Sequence, residues 1–292
     1  MHRFLLNNDE ILEAESAHVL SPGQVGLLTG WGVFSTLRVY DGVPFAYERH
    51  WARMRADAVR VHVPFPKHPE WLEERLLKLI EANQAWNCTL RVTVVRNRGG
   101  LFEGPGQTRD FDLIGFTVDR VKWPPSAKLG MVENARHAAS EFAGAKVTSW
   151  VDNLARYERA HEQGLDEVIL LNERGEVSEC TSANVFVVNG SRVWTPPLAA
   201  GCLAGVTRAV LLEEVRVPGL EIEEKTLTPA DLEIADEVFV TSTTRELLPV
   251  SRIEGMQIPG GHTVCDALQD AFSKCVERYV TPRRRSVHPV AQ

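Results

Sequence analysis

The period of apolar and polar positions changes several times along the chain, and each change marks an element. The first residues alternate and break at Asn7, Asn8, Asp9 and Glu10, where turn formers separate two short apolar runs, a hairpin pattern. The stretch GLLTGWGVFSTLRVYDGVPF (26–45) is β-rich, and its long run ends at Asp41-Gly42, a favoured two-residue hairpin turn. Gly26, Gly30 and Gly32 precede that run; they mark either close backbone approach or relief of crowding at a bend. From Tyr47 the period lengthens. Trp51, Met54, Ala58 and Val61 share one helical face, while Arg49, Arg53, Asp57 and Arg60 fall elsewhere, which predicts a helix with a solvated charged face. Pro64 and Pro66 end it, and Pro69 suits the first turn of a second helix, PEWLEERLLKLIEANQA. Strands at 90–95 and 111–118 flank the glycine-rich RNRGGLFEGPGQ.

The segment 119–126 (DRVKWPPS) reads as a linker, because Pro124-Pro125 forbids helix and favours a stiff extended chain. The expected organisation is therefore a small N-terminal α+β domain at 1–118, a linker at 119–126 and a larger domain at 127–292. The second half opens with a strand near 129–132, then a helix from about Trp150 to Gln163 capped by Gly164. A hairpin follows in EVILLNERGEVSEC, turning at Glu173-Arg174-Gly175 and ending at Glu179, with another around Asn189-Gly190. Gly205-Val206-Thr207-Arg208 opens a helix reaching about Val215. Thr228-Pro229-Ala230-Asp231 is a strong helix start. A strand at 237–241 runs into Ser242-Thr243-Thr244, and 262–279 forms a closing helix. There is no internal repeat and no low-complexity segment.

Composition adds exclusions. The length of 292 residues is ample for a substantial core, and the formal net charge of -7 argues against a general nucleic-acid binder. Arg283, Arg284 and Arg285 read as a solvated end. No apolar run approaches membrane-spanning length, and the first residues turn polar too early for a secretory signal, so a cytoplasmic protein is expected. Five scattered cysteines without ligand spacing indicate neither a disulfide framework nor a metal site. Signatures for dinucleotide binding, P-loops, zinc hydrolysis and serine hydrolysis are missing, and His50, His137 and His161 stand singly.

Two groups then stand out. Lys146 sits among small and apolar residues in AGAKVTSW, and Glu179 closes a strand ahead of Cys180-Thr181-Ser182-Ala183-Asn184. An amine and a carboxylate on rigid elements are what pyridoxal phosphate chemistry asks of a protein, one for an imine and one for the pyridine nitrogen. Two stretches suit a phosphate: the helix start at Gly205-Val206-Thr207, with free N–H groups, and the hydroxyls of Ser242-Thr243-Thr244.

With these pieces in order, the chain resembles the class IV aminotransferases, fold-type IV pyridoxal phosphate enzymes that include branched-chain aminotransferases, D-amino acid aminotransferases and aminodeoxychorismate lyases. The resemblance rests on GWGVFSTLRVYDG, HWARM, Lys146, GLDEVILLNERGEVSECTSANVF, GVTR and ADEVFVTSTTRELLPV. It implies an α+β, two-domain fold with a small N-terminal α/β sandwich and a larger C-terminal domain with a β-barrel-like core, the cofactor pyridoxal 5′-phosphate in the cleft, and a homodimer. It further implies that Lys146 forms the internal aldimine and later moves the proton, and that Glu179 faces the pyridine nitrogen. Arg53 would bind the phosphate with Val206, Thr207, Ser242 and Thr243.

The implied reaction moves an amino group from a small, branched-chain-like amino acid or an amine to a keto acid such as 2-oxoglutarate; release of pyruvate by an aminodeoxychorismate lyase, D-amino acid transamination, and a catalytically silent binding protein that keeps the fold are the alternatives. Members of the family often carry Gly-Asp-Gly-Val-Phe-Glu where this chain has Gly30 to Ser35, and branched-chain enzymes carry an Asn-Tyr pair where Ser149, Trp150 and Val151 stand. These departures touch the substrate pocket more than the cofactor. Arg91, Arg96 and Arg98 are candidates for the substrate carboxylate, and Phe34 and Trp150 for apolar walls.

Overall fold

The alternating N-terminal run forms its hairpin, with β1 (Phe4–Asn7) and β2 (Glu10–Glu13) paired from Phe4 opposite Glu13 to Asn7 opposite Glu10. The computed structural model describes residues 1–17, 24–99, 108–259 and 261–284. These divide into two compact units: one takes the described residues of 1–121 together with Lys146–Ser149 and 276–284, the other 122–145 and 150–275.

In the first unit, α1 (Val25–Thr29), β3 (Gly32–Tyr40), β4 (Val43–Pro44), α2 (Tyr47–Arg60), α3 (Pro69–Ala82), β5 (Thr89–Arg96) and β6 (Phe111–Val118) follow. The sheet is antiparallel in the order β2-β1-β6-β5-β3-β4. Its core gathers Val33 and Leu37 of β3, Leu90, Val92 and Val94 of β5, Met54 and Ala58 of α2, and Leu72, Leu76 and Leu79 of α3. The five-residue α1 carries no period to read. Gly30 caps it at φ 65°, and a Cβ there would stand 2.9 Å from the Cα of Ser149. One on Gly26 would stand 2.5 Å from the Arg96 carbonyl oxygen. These glycines admit the protein's own backbone. Asp57, placed by periodicity on the solvated face of α2, is instead buried.

The lysine segment completes this sheet. β4 pairs with β3 only at Val39 and Tyr40, which leaves the edge of β3 from Gly32 to Phe34 open. Residues 146–148 occupy it: Phe34 N donates to Lys146 O (3.1 Å), Thr148 N donates to Gly32 O (2.9 Å), and Val147 lies opposite Val33.

The second unit contains β7 (Ala127–Arg136), α4 (Val151–Glu162), β8 (Glu167–Asn172), β9 (Val177–Cys180), β10 (Asn184–Asn189), β11 (Arg192–Thr195), α5 (Val206–Glu213), β12 (Glu221–Glu224), α6 (Pro229–Glu233), β13 (Glu237–Ser242), β14 (Glu246–Ile253) and β15 (Met256–Gln257). The strands form a mixed, curled half-barrel sheet in the order β12-β11-β10-β13-β14-β7-β8-β9, with β15 on β14. Val185 and Val187 of β10 meet Val238 and Val240 of β13 on one face, while Phe186 and Phe239 stack at 5.0 Å on the other. Burial on both faces explains why 185–188 and 238–240 read as continuous apolar runs. Gly164 follows α4 at φ 73°, and Thr228 with Asp231 forms the capping box of α6.

The last helix, α7 (Thr263–Val280), ends in the first unit. There Tyr279 packs edge-on against Phe45 at 5.3 Å and donates its hydroxyl to Glu48 at 2.7 Å. Arg283 lies 3.7 Å from Glu48 and Arg284 2.6 Å from Asp41, so these two are paired rather than simply solvated; Arg285 lies outside the described residues. The fold is α+β, as the sequence pattern leads one to expect.

Candidate active site

Lys146 is held by its backbone. Its N–H donates to Asp57 Oδ2 (3.2 Å) and its carbonyl accepts from Phe34, which fixes the residue on the same side of the sheet as the Phe34 ring. Nζ stands 4.5 Å from the centroid of that ring, and the Arg91 guanidinium stands 3.8 Å from it. Thr36 faces Arg91 across the ladder, so Phe34 lies one diagonal step away, within reach of a long side chain. Burial lowers the pKa of Arg91 from its ordinary value.

On the helix side of β3, Ser35 Oγ accepts from Arg53 Nη2 at 2.7 Å and lies 2.7 Å from His50 Nδ1. Burial lowers the Arg53 pKa to about 10, with Asp57 acting the other way, so Arg53 remains a cation at neutral pH. Burial, reinforced by Arg53 and Lys146, holds His50 well below the usual imidazole range, and it is neutral there.

In the second unit Glu179 is buried near the end of β9; its Oε1 accepts from Arg136 Nε (3.1 Å) and its Oε2 from Leu203 N (3.0 Å). Leu203 leads to Gly205, where a Cβ would stand 2.0 Å from Asn184 Oδ1, and Asn184 Nδ2 donates to Leu203 O at 3.0 Å. Asn184 pairs with Thr241, the residue before Ser242. One chain of contacts thus joins Glu179, the start of α5 and the end of β13. Gly205 provides no side-chain cap, and the amides of Val206 and Thr207 meet no acceptor among the described residues. Such a helix start suits an anion. Ser242 Oγ accepts from Arg245 N at 3.2 Å.

Behind this loop lies a buried ion pair, Glu167 with Arg245 at 3.2 Å. Glu167 also accepts from Thr181 N, Thr181 Oγ1 and Ser182 Oγ, while Arg245 donates to Ser182 Oγ and lies over the Trp123 ring. The pair fixes the loop that follows Glu179.

The family model for amino-transferase class IV matches residues 32–253. The chain is a class IV aminotransferase. This aminotransferase is 31% identical over 267 residues to a D-alanine aminotransferase of Listeria monocytogenes, covering 88% of this chain and 90% of that protein. It is 30% identical over 241 residues to a putative branched-chain-amino-acid aminotransferase of Methanocaldococcus jannaschii, covering 80% and 82%. Among solved structures, the branched-chain amino acid aminotransferase from Escherichia coli superposes with a TM-score of 0.85 at 25% identity, over 94% of this chain and 95% of that one.

Class IV aminotransferases are pyridoxal phosphate enzymes, and pyridoxal 5′-phosphate is the cofactor of this aminotransferase. The groups present fit it. They include a half-buried primary amine, a buried carboxylate, a guanidinium, and a helix start whose first amides suit an anion.

The residues singled out in the sequence therefore fall into two described groups. Phe34, Arg53, Arg91 and Lys146 belong to the first unit, and Glu179, Val206, Thr207, Ser242 and Thr243 to the second. Trp150 is the N-cap of α4. Arg96 lies over Trp31 and donates to the carbonyls of Arg98 and His62, while Arg98 is exposed 3.8 Å from Asp110. Sequence reasoning missed Arg136, whose position follows from the ladder, and Asp57, whose place on α2 mimics a solvated face.

Proposed function

We propose that this aminotransferase moves the amino group of a small, branched-chain-like amino acid, or of an amine, to a keto acid such as 2-oxoglutarate. The observation that carries this reading is the Phe34 ring with Lys146 Nζ and the Arg91 guanidinium both upon it. The two cations are separated by no more than the sum of their distances to that ring. One would serve the amino end of a compact substrate and the other a carboxylate.

Bound pyridoxal phosphate supplies the electron sink that makes the substrate's α-hydrogen acidic. In this reading Lys146 would hold the cofactor and carry the proton, and Glu179, kept in place by Arg136 and Leu203, would serve its pyridine nitrogen. Arg53, Val206, Thr207, Ser242 and Thr243 would hold the phosphate. Phe34 and Trp150 supply apolar walls. The working form is proposed to be a cytoplasmic homodimer, with domains at 1–118 and 127–292 joined by 119–126. Among the described residues no helix is long and apolar enough to cross a membrane.

A second reading, transamination of D-amino acids, has its own support. Ser149, Trp150 and Val151 replace the Asn-Tyr pair of branched-chain enzymes, and the relatives include D-alanine aminotransferases.

The test is a set of half-reactions. Cofactor-loaded protein is mixed with L-amino acids, D-amino acids and amines, and its visible absorption is followed. Bleaching by branched L-amino acids supports the first reading and bleaching by D-alanine the second; pyruvate release without a keto acid would identify a lyase. Lys146→Ala is expected to lose both the absorption band and turnover, and full activity in that variant would remove Lys146 from the chemistry.

A further inference from the structure

Asp57 touches neither the cofactor nor the substrate in the roles assigned above; its contact with the site is the Lys146 amide. It lies one turn beyond Arg53 on α2 and is only 4% exposed. A carboxylate is seldom buried to that degree unless donors are aimed at it. Its Oδ2 accepts the Lys146 N–H from 89 residues away in sequence, while Arg60 on its own helix stands 4.0 Å from Oδ1. The carbonyl of Lys146 is held from the other side by Phe34 N. Both polar groups of the lysine's main chain are therefore tied down, the N–H by α2 and the C=O by β3.

We propose that Asp57 is a positioning residue for the Lys146 amine: it fixes the lysine's main chain so that Nζ is presented over Phe34, acting through the backbone amide and not through contact with the cofactor. The proposal rests on Lys146 being the cofactor-binding amine. Burial pushes the Asp57 carboxyl up, and the Lys146 amide with the charges of Arg53, Arg60 and Lys146 pulls it back. Either protonation state leaves an oxygen that accepts the amide. The placement also answers a departure in the sequence. Position 35, where the family often has glutamate, is a serine here, and the buried carboxylate near Arg53 comes from α2 instead.

Two probes separate this role from a general structural one. Pyridoxal 5′-phosphate bonds covalently to Nζ; pyridoxine 5′-phosphate has the same ring and phosphate but an alcohol in place of the aldehyde. Dissociation constants for both are measured on cofactor-stripped wild type, Asp57→Ala and Asp57→Asn, with folding checked by circular dichroism. In Asp57→Ala the pyridoxal phosphate constant is expected to rise about tenfold or more, the effect of removing a charged acceptor from a buried amide, while the pyridoxine phosphate constant stays within about twofold. Asp57→Asn keeps an oxygen acceptor and is expected to restore tight binding. If Asp57→Ala does not fold, Asp57→Leu takes its place. Equal weakening of both ligands, unchanged pyridoxal phosphate binding, or failure of asparagine to rescue would overturn the proposal. Failure of the wild type to form the covalent absorption band would instead overturn the assignment of Lys146.

Discussion

Replacing Arg91 by methionine tests the substrate assignment most sharply. The guanidinium is half-buried and stacked on Phe34, with no carboxylate beside it among the described residues. Methionine keeps a stem of similar length against the ring, so the change removes mainly charge and hydrogen bonds. A guanidinium–carboxylate hydrogen-bonded pair contributes about 1.5–3 kcal/mol net, below the ~4 kcal/mol that Coulomb's law gives for bare charges at 4 Å in a medium of intermediate polarity. That corresponds to roughly a tenfold to hundredfold loss in kcat/KM for an amino-acid donor. The lost cation–π contact, about 0.5–1 kcal/mol, affects every donor alike. The assay compares an amino acid with the amine that lacks its carboxylate, in wild type and Arg91→Met. The amino acid is expected to lose the full factor and the amine no more than about fivefold, the cation–π share. Equal losses for the two donors would refute a carboxylate role for Arg91.

Two further predictions concern the groups around the site. His50 is neutral in the folded protein and ordinary when unfolded, so the unfolded chain binds the extra proton as pH falls; stability from this residue is complete above about pH 6.5 and declines below it by up to about 1.4 kcal/mol per pH unit. His50→Asn should flatten the dependence of urea-unfolding free energy on pH between about 6.5 and 5, and an unchanged slope would contradict the assignment. Glu167→Ala leaves Arg245 buried without its carboxylate, which costs about 3–5 kcal/mol, or on the order of 10 °C in Tm for a chain of this size. Adding Arg245→Met should recover much of that in thermal unfolding; a single-variant loss under about 1 kcal/mol would show that the pair is not the constraint described.

How much of this was legible in the sequence depended on how local the signal was. Asn8 with φ 56°, the Asp41-Gly42 turn, Gly164 and the Thr228–Asp231 box carry their conformation in their own chemistry, and each reads correctly. β14 does not, because Pro249 sits in its middle opposite Phe239 and breaks the strand pattern. Only the pairing with β13 and β7 makes it a strand. The helix start at Gly205 announces an anion site through a missing cap, whereas Arg136 beside Glu179 has no local sign at all. Asp57 misled for a related reason. Its spacing is that of a surface position on α2, and only the return of the chain 89 residues later covers it.

That return also bears on how the protein is made. Until residues 146–148 emerge from synthesis, the stretch Gly32–Phe34 of β3 is an unpaired sheet edge, and open edges recruit other strands. A fragment ending at Val121 would expose the edge permanently and invite self-association. In the full chain the lysine therefore has a second duty. The segment that brings the reactive amine is also the one that closes the sheet, and chemistry and solubility mature in the same step.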